Sequence, residues 1–281
     1  DEGRITAAKA LEVSCNTFFY KLMDEMALGT WHDWALEFGF GQNAPLKGFR
    51  QSPGLIPDSS YFTQTYGQWT QGYTINLGIG QGDMSVTPLQ LARYTAALGN
   101  GGRLPTPHLI QKAVHPETGR ERSLRLPPAD TIPVDSVYFD RVQEGMHRVM
   151  REGTGRWVQI PNVPSAGKTG TAQNPHGQDH SLFIMFAPYE DPEIALAVTV
   201  ENAGYGATAA APLASLMAEQ YLTGTIADTW ERRYWQQRLR EEVRSGPGQN
   251  GRSPASPPAT QVNAQPADAP SDSTRADASS R

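Results

Sequence analysis

The pattern of hydrophobic and polar residues predicts helices in the first half of the chain. Residues 5–28 read as helical with an interruption near "SCN" at positions 14–16, and apolar side chains then recur at steps of three and four. Residues 87–99 carry markers of both helix ends, because Thr87 can cap the N-terminus, Pro88 stands at the first helical position and Gln90 completes a capping box. Residues 135–151 form a further amphipathic pattern that ends at "GTG".

The second half predicts an antiparallel sheet. Three strand-like runs, at positions 165–173, 181–189 and 193–202, are separated by the short polar connections "NPHGQDH" and "EDP". Such spacing is typical of a meander. A shorter strand is predicted within residues 106–114, and the apolar segment 209–222 can form a helix that covers one face of the sheet. Helices combined with an antiparallel sheet indicate the α+β class.

Two other regions differ in composition. Residues 39–82 are rich in Gly, Pro, Gln, Ser and aromatic residues, which we interpret as ordered loops along a functional surface. Residues 228–244 read as a short charged helix, interpreted as a solvated extension, and from residue 245 onward Pro, Ala, Ser and Asp predict a disordered tail. The predicted organisation is therefore a main domain at 1–223, a charged helical extension at 224–244 and a disordered tail at 245–281.

Composition excludes several classes of protein. The formal net charge of −5 without a sustained basic stripe argues against nucleic-acid binding. No apolar run is long enough to cross a bilayer. Cys15 is the only cysteine of the 281 residues, which excludes an internal disulfide and a cysteine-built metal site. Because the chain opens without Met in a helical pattern, we expect it to be a fragment of a longer protein.

The segment "PSAGKTGTAQ", positions 164–173, allows three interpretations. A phosphate-binding P-loop would need a glycine five positions before Gly167, where Asn162 stands. A local S-x-x-K pair of Ser165 and Lys168 would need a helix, but a strand places these two side chains on opposite faces. The context favours a third interpretation, a sheet edge that an extended peptide joins.

In that third interpretation the segment suits a peptide that ends in a carboxylate. Lys168 supplies positive charge, Thr169 and Thr171 supply hydroxyl groups, and Gly170 leaves room for the backbone of the ligand. Elsewhere, His176, Asp179 and His180 lie in a connection between strands, so we expect no metal there, and we expect no cofactor. The segment "GIGQGD", positions 78–83, departs from a dinucleotide fingerprint at Asp83 and is interpreted as a tight turn near the wall of the active site.

The order of two short motifs suggests a family. Ser14 and Asn16 form S-x-N, and K-T-G follows at position 168, the order found in β-lactamases and penicillin-binding proteins. The segments at 12–22, 77–102, 167–173 and 180–202 extend the likeness. Over residues 5–222 the chain resembles the transpeptidase domain of a class B penicillin-binding protein, most closely the elongation-type penicillin-binding protein 2. The S-x-x-K motif of that family should lie upstream of "SCN", so we expect this penicillin-binding protein/serine β-lactamase-like fold to be N-terminally incomplete here.

The resemblance implies a peptidoglycan D,D-transpeptidase that cross-links stem peptides ending in D-Ala-D-Ala through a serine acyl-enzyme. It implies catalytic roles for Ser14 in proton transfer, for Asn16 in positioning and for Lys168 in supplying a positive field. Thr169, Gly170 and Thr171 would bind substrate, and the Thr171 N–H would form half of an oxyanion hole. The chain alone would be inactive because it lacks the nucleophile.

The resemblance also implies a cellular setting. Stem peptides, β-lactams and proteins of the cell-elongation machinery would be partners, and the parent protein would be membrane-anchored on the extracytoplasmic (periplasmic) side. The alternative is a non-catalytic penicillin-binding or sensor module on the same fold. A hydrolase of the β-lactamase type is a more distant third, since no residue near K-T-G offers an evident base for activating water.

Overall fold

The computed structural model describes residues 5–46, 48–123, 125 and 127–245. Its helices are α1 (Ala7–Glu12), α2 (Asn16–Glu25), α3 (Leu28–Glu37), α4 (Ser59–Tyr66), α5 (Pro88–Gly99), α6 (Ser136–Arg151), α7 (Ala210–Thr223) and α8 (Trp230–Ser245). Its strands are β1 (Arg103–Leu104), β2 (Lys112–Val114), β3 (Glu121–Ser123), β4 (Asp130–Thr131), β5 (Ala166–Ala172), β6 (His180–Ala187) and β7 (Ile194–Val200).

The predicted meander is confirmed as an antiparallel sheet with the order β5-β6-β7. Lys168 pairs with Ile184 and Thr171 with Ser181, so the K-T-G segment lies fully within β5. Among the described strands, none pairs with the outer edge of β5. The edge strand predicted for this segment is therefore present.

Helices cover both faces of this sheet. Because side chains alternate along a strand, the odd-numbered residues of β6 from Phe183 to Ala187 pack with α7, whereas Phe186 packs with α5 and α6. Small residues of α7 allow that helix to lie close to the sheet. The result is a helix–sheet–helix arrangement, which confirms the α+β class.

The start of α5 was predicted correctly from the local sequence. The Thr87 hydroxyl accepts the N–H of Gln90 at 3.2 Å, and the Gln90 side chain accepts the N–H of Thr87 at 2.7 Å, so the capping box is complete. The Gln90 amide also donates to the carbonyls of Gln42 and Pro53 at 2.9 and 2.8 Å. One capping residue thus also holds the preceding loop against the helix.

The region 39–82 is less irregular than the sequence suggested. Asp58 accepts the N–H of Tyr61 at 2.7 Å and starts α4, and Gly67 ends it with a φ of 79°. The loop interpretation was therefore wrong for residues 59–66, where a short cap outweighed the high polar content. The strand predicted within 106–114 is reduced to Lys112–Val114.

Helix α8 corrects the interpretation of a solvated extension. Arg232 and Trp235 are only 2% and 3% exposed. Arg232 Nε lies 2.9 Å from Glu219 Oε2 of α7, so its buried charge is paired. The charged residues of this helix therefore include a buried anchor, which charge content alone does not distinguish from a solvated face. The boundaries at 223 and 244 remain predictions, and the tail predicted as disordered lies, beyond Ser245, outside the described residues.

No helix in the described part of the chain combines the length and apolar character that a membrane span requires.

Candidate active site

Ser14 lies in the sharp break between α1 and α2. Its φ of 53° places it in the left-handed region, where its N–H bonds the carbonyl of Leu11 at 3.2 Å and the N–H of Cys15 bonds that of Ala10 at 2.9 Å. These two bonds form a Schellman motif that ends α1. Glycine usually occupies the left-handed position, so a serine there stores backbone strain. The interruption predicted near "SCN" is confirmed, since α1 ends at Glu12 and α2 begins at Asn16.

Two glycines let α1 lie close against α6 and its C-terminal turn. A Cβ added at Gly153 would lie 2.3 Å from the carbonyl oxygen of Glu12, and one added at Gly145 would lie 2.6 Å from the Leu11 side chain. Glu12 itself is buried and forms an ion pair with Lys9. This close packing sets the position of the α1 C-terminus and, with it, the position of Ser14.

Lys168 connects the two motifs. Its Nζ donates to the Ser14 hydroxyl at 2.7 Å, although the two residues are 154 positions apart, and to the carbonyl of Thr169 at 2.7 Å. Burial lowers the pKa of Lys168 from its ordinary value to about 8. An ammonium group of that pKa gives up and regains a proton near neutral pH more readily than an ordinary lysine.

Asn16 is the first residue of α2 and is exposed. Within the described part of the chain its side chain makes no hydrogen bond, so its amide is available to a ligand. The structure thus places Asn16 two residues from the Ser14–Lys168 contact without joining it to that contact.

The threonines of β5 present their hydroxyls to other parts of the same protein. Thr169 Oγ1 lies 2.9 Å from Thr154 Oγ1, and Thr171 Oγ1 accepts a long bond of 3.4 Å from the N–H of Gly206. The carbonyl oxygen of Thr171 accepts the side-chain amide of Gln81 at 2.6 Å. A hydroxyl that accepts one hydrogen bond can still donate another, so the Thr171 hydroxyl, which accepts from Gly206, keeps its proton available for a bound carboxylate.

Gly170 lies where two backbones approach each other. A Cβ added at Gly206 would lie 2.3 Å from the Gly170 carbonyl oxygen, so the segment after β7 packs directly on β5. The close approach is that of the protein's own chain, and a role of Gly170 in binding substrate remains a prediction.

Ser165 and Lys168 do not form a local pair in the structure. Ser165 is 3% exposed and its carbonyl lies 2.9 Å from His147 Nδ1, while Lys168 reaches Ser14 instead. The "NPHGQDH" segment is a connection, and His180 Nδ1 accepts the N–H of Asn202 at 3.0 Å. Among the described residues, no group of three His, Cys, Asp or Glu could hold a metal ion.

Two residues at this site were not singled out from the sequence. Thr154 belongs to "GTG", which was interpreted only as a helix stop, and Gln81 belongs to "GIGQGD", interpreted only as a turn. The turn exists, with φ values of 74° at Gly80 and 87° at Gly82. Two glycines around a single polar residue were the available signal, because they free the backbone to project that side chain.

The family model described as "Penicillin binding protein transpeptidase domain" matches residues 1–219. The chain belongs to this family. The resemblance inferred from S-x-N and K-T-G is thereby confirmed.

Relatives that match this chain include proteins named peptidoglycan D,D-transpeptidase MrdA. The peptidoglycan D,D-transpeptidase MrdA of Acinetobacter baumannii is 36% identical over 226 residues, covering 74% of this chain and 33% of the relative. MrdA of Escherichia coli K12 is 30% identical over 224 residues, covering 73% of this chain and 35% of the relative. The chain therefore spans about a third of the length of these curated relatives.

Solved structures of penicillin-binding protein 2 (PBP2) share the fold. Pseudomonas aeruginosa PBP2 superimposes with a TM-score of 0.65 at 36% identity, over 80% of this chain and 51% of that one. PBP2 from Helicobacter pylori, solved in complex with MreC, gives a TM-score of 0.66 at 26% identity, over 78% of this chain and 40% of that one. The penicillin-binding protein transpeptidase fold predicted from the sequence is confirmed.

Proposed function

We propose that this chain is the larger, C-terminal part of the transpeptidase domain of an elongation-type peptidoglycan D,D-transpeptidase. The observation that carries this proposal is the 2.7 Å hydrogen bond between Lys168 Nζ and Ser14 Oγ, which joins the S-x-N turn to the outer strand of the sheet. The MrdA relatives support the same reaction class. The substrate class is a stem peptide ending in D-Ala-D-Ala, which β-lactams imitate.

The reaction proceeds through an acyl-enzyme. The serine of an S-x-x-K motif, in a part of the protein that precedes residue 1, attacks the carbonyl of the penultimate D-Ala while the lysine of that motif accepts its proton. The peptide bond breaks and the terminal D-Ala leaves with a proton. The amine of a neighbouring stem peptide then attacks the acyl-enzyme, forming the cross-link and releasing the serine. On its own, the chain of residues 1–281 is inactive in this scheme.

Ser14 and Lys168 serve the proton transfers. Ser14 relays a proton toward the leaving amine, since its hydroxyl can accept from the Lys168 ammonium and donate onward. The pKa of Lys168, lowered to about 8 by burial, suits such a relay near neutral pH. Asn16, exposed and unbonded within the described residues, positions the substrate backbone with its amide.

The outer edge of β5 binds the substrate. Thr169 and Thr171 hold the terminal carboxylate together with the charge of Lys168. The Thr171 N–H stabilises the developing oxyanion, a contribution of about 2.7–4 kcal/mol for such donors. Gly170 keeps this edge free of a side chain.

The parent protein acts on the extracytoplasmic face of the membrane, anchored by a segment outside this chain. Peptidoglycan stem peptides are found there, and the H. pylori PBP2 structure with MreC supports a place within the elongation machinery.

Acylation by fluorescent penicillin tests the proposal. The full-length protein should be labelled at the S-x-x-K serine, and residues 1–281 alone should not be labelled. Lys168→Ala in the full-length protein should abolish labelling, whereas Lys112→Ala, which removes an exposed lysine paired with Glu121, should leave it unchanged. Labelling of Ser14 in the isolated chain, or normal labelling of Lys168→Ala, would refute the assignment. Labelling without any cross-linking of stem peptides would favour the non-catalytic penicillin-binding or sensor module.

A further inference from the structure

Gln81 occupies a hydrogen-bond acceptor on the outer edge of β5. Its side-chain amide donates to the carbonyl oxygen of Thr171 at 2.6 Å across 90 positions of sequence. In an antiparallel strand the N–H and C=O of one residue point to the same side. The Thr171 N–H therefore faces the same open edge, on which no described strand pairs.

The backbone that carries Gln81 is held in place. Gly80 and Gly82 adopt left-handed conformations, and the N–H of Gln81 bonds the carbonyl of Asn76 at 3.0 Å. Gly78 packs so closely on α2 that a Cβ there would lie 2.7 Å from the carbonyl oxygen of Phe19. The turn is thus fixed to the helix that begins at the S-x-N motif.

A second anchor lies on the other side of Gln81. The Asp83 carboxylate accepts the hydroxyl of Tyr66 at 2.6 Å and that of Tyr61 at 3.4 Å, both from α4. The carboxylate raises the pKa of Tyr66 to about 12, so this hydroxyl remains a donor throughout the neutral range. With the backbone anchored on both sides, the part of Gln81 that can change position is its half-buried side chain.

We propose that Gln81 is a specificity-determining residue that occupies the Thr171 carbonyl in place of a substrate strand and is displaced when a peptide binds. A peptide that extends the sheet at β5 needs this carbonyl as the acceptor for its own N–H. The incoming N–H replaces the Gln81 amide, and the number of bonds at the carbonyl is maintained. The inference rests on the proposed function, because it requires that the edge of β5 binds substrate.

Displacement favours ligands with a backbone N–H. A ligand that pushes Gln81 aside without offering a donor leaves the Thr171 carbonyl unpaired, which carries a larger penalty than exchanging one bond for another. A ligand that does not reach this edge leaves Gln81 in place. Removing the Gln81 amide should therefore help ligands that carry the N–H and should not affect those that lack the corresponding arm.

Acylation kinetics of the full-length protein test this inference with two β-lactams, followed by intact-protein mass spectrometry. Benzylpenicillin carries an amide arm that imitates the peptide preceding the terminal dipeptide, whereas penicillanic acid has the same bicyclic ring without that arm. Gln81→Ala removes the amide and its bulk, and Gln81→Met removes the donor while keeping the length. Both variants should raise the acylation efficiency of benzylpenicillin about 2- to 10-fold, the range for one net hydrogen bond, and leave that of penicillanic acid unchanged.

Gln71→Ala is the matched control. It removes another side-chain amide from the same loop region, one that donates to the carbonyl of Asp24 on α2, and should change neither rate. Slower or unchanged benzylpenicillin acylation in both Gln81 variants, or an equal change for the two β-lactams, would overturn the displacement model. Failure of the wild-type full-length protein to react with either β-lactam would instead refute the proposed function and the inference with it.

Discussion

The packing of α1 on the turn after α6 gives a direct test of how Ser14 reaches Lys168. In Gly153→Ala the new methyl group would lie 2.3 Å from the carbonyl oxygen of Glu12 and 2.8 Å from the Cα of Val149. Both neighbours are backbone atoms, so neither can rotate away. To restore an ordinary contact distance of 3.4 Å or more, the end of α1 has to move by about 1 Å.

That movement acts on the hydrogen bond between Ser14 and Lys168. Ser14 follows Glu12 by two residues, and its hydroxyl lies 2.7 Å from Lys168 Nζ, so a shift of about 1 Å breaks the hydrogen bond. Overpacking of this kind lowers the free energy of unfolding by about 1–3 kcal/mol. A displacement of about 1 Å in a catalytic group can reduce the rate about 100-fold. We expect both losses in Gly153→Ala.

The assay combines thermal unfolding with the rate of penicillin acylation in the full-length protein. Gly29→Ala is the control, because a Cβ there meets no atom within 4 Å, and a helical alanine should be neutral or stabilising by up to about 1 kcal/mol. If Gly153→Ala is acylated at the wild-type rate, the close packing of α1 does not position Ser14 and the argument is wrong.

Three further predictions concern the same structure. Because burial lowers the pKa of Lys168 to about 8, the unfolded chain binds more protons than the folded one between about pH 8 and 10.5. The free energy of unfolding should therefore rise with pH through that window. Urea unfolding of Lys168→Met, measured at several pH values, should not show this rise. Ser14→Gly should be about 1 kcal/mol more stable than Ser14→Ala, and unfold at a higher temperature, because glycine relieves the strain of the left-handed backbone. Both variants should slow penicillin acylation. Equal stability of the two variants would contradict the presence of strain. Arg232→Ala should lower the free energy of urea unfolding by about 3–5 kcal/mol, because it leaves Glu219 buried without its cation. The control Arg233→Ala, which removes an exposed ion pair with Asp228, should cost about 1 kcal/mol or less. Similar losses in the two variants would refute the role of α8 as an anchor.

Local signals in the sequence predicted several elements correctly. The α5 start was predictable because Thr87, Pro88 and Gln90 act within one helical turn, and the capping box forms as expected. The three strands were predictable because short polar connections separate apolar runs. In each case the information lies in neighbouring residues.

Errors arose where a short signal competed with composition. Helix α4 was missed because the polar content of residues 39–82 outweighed the single cap at Asp58. The burial of α8 was missed because Arg232 looks like a surface charge until Glu219 of another helix is placed beside it. Asp58 is a local signal that the composition masked, whereas Glu219 lies on another helix and is not visible from the pattern of residues 228–244.

The sequence by itself determined the α+β class, the antiparallel meander, the capping box of α5 and, through Ser14, Asn16, Lys168 and the segments around them, the family. Only the tertiary structure decided which atoms meet: the Lys168 ammonium with the Ser14 hydroxyl, the hydroxyls of Thr154 and Thr169 with each other, and the Gln81 amide with the Thr171 carbonyl. The physical reason is the distance along the sequence over which each kind of interaction acts. Caps and alternation act over a few residues, whereas these contacts depend on how closely glycines let distant backbones pack, and that distance is set by the whole fold.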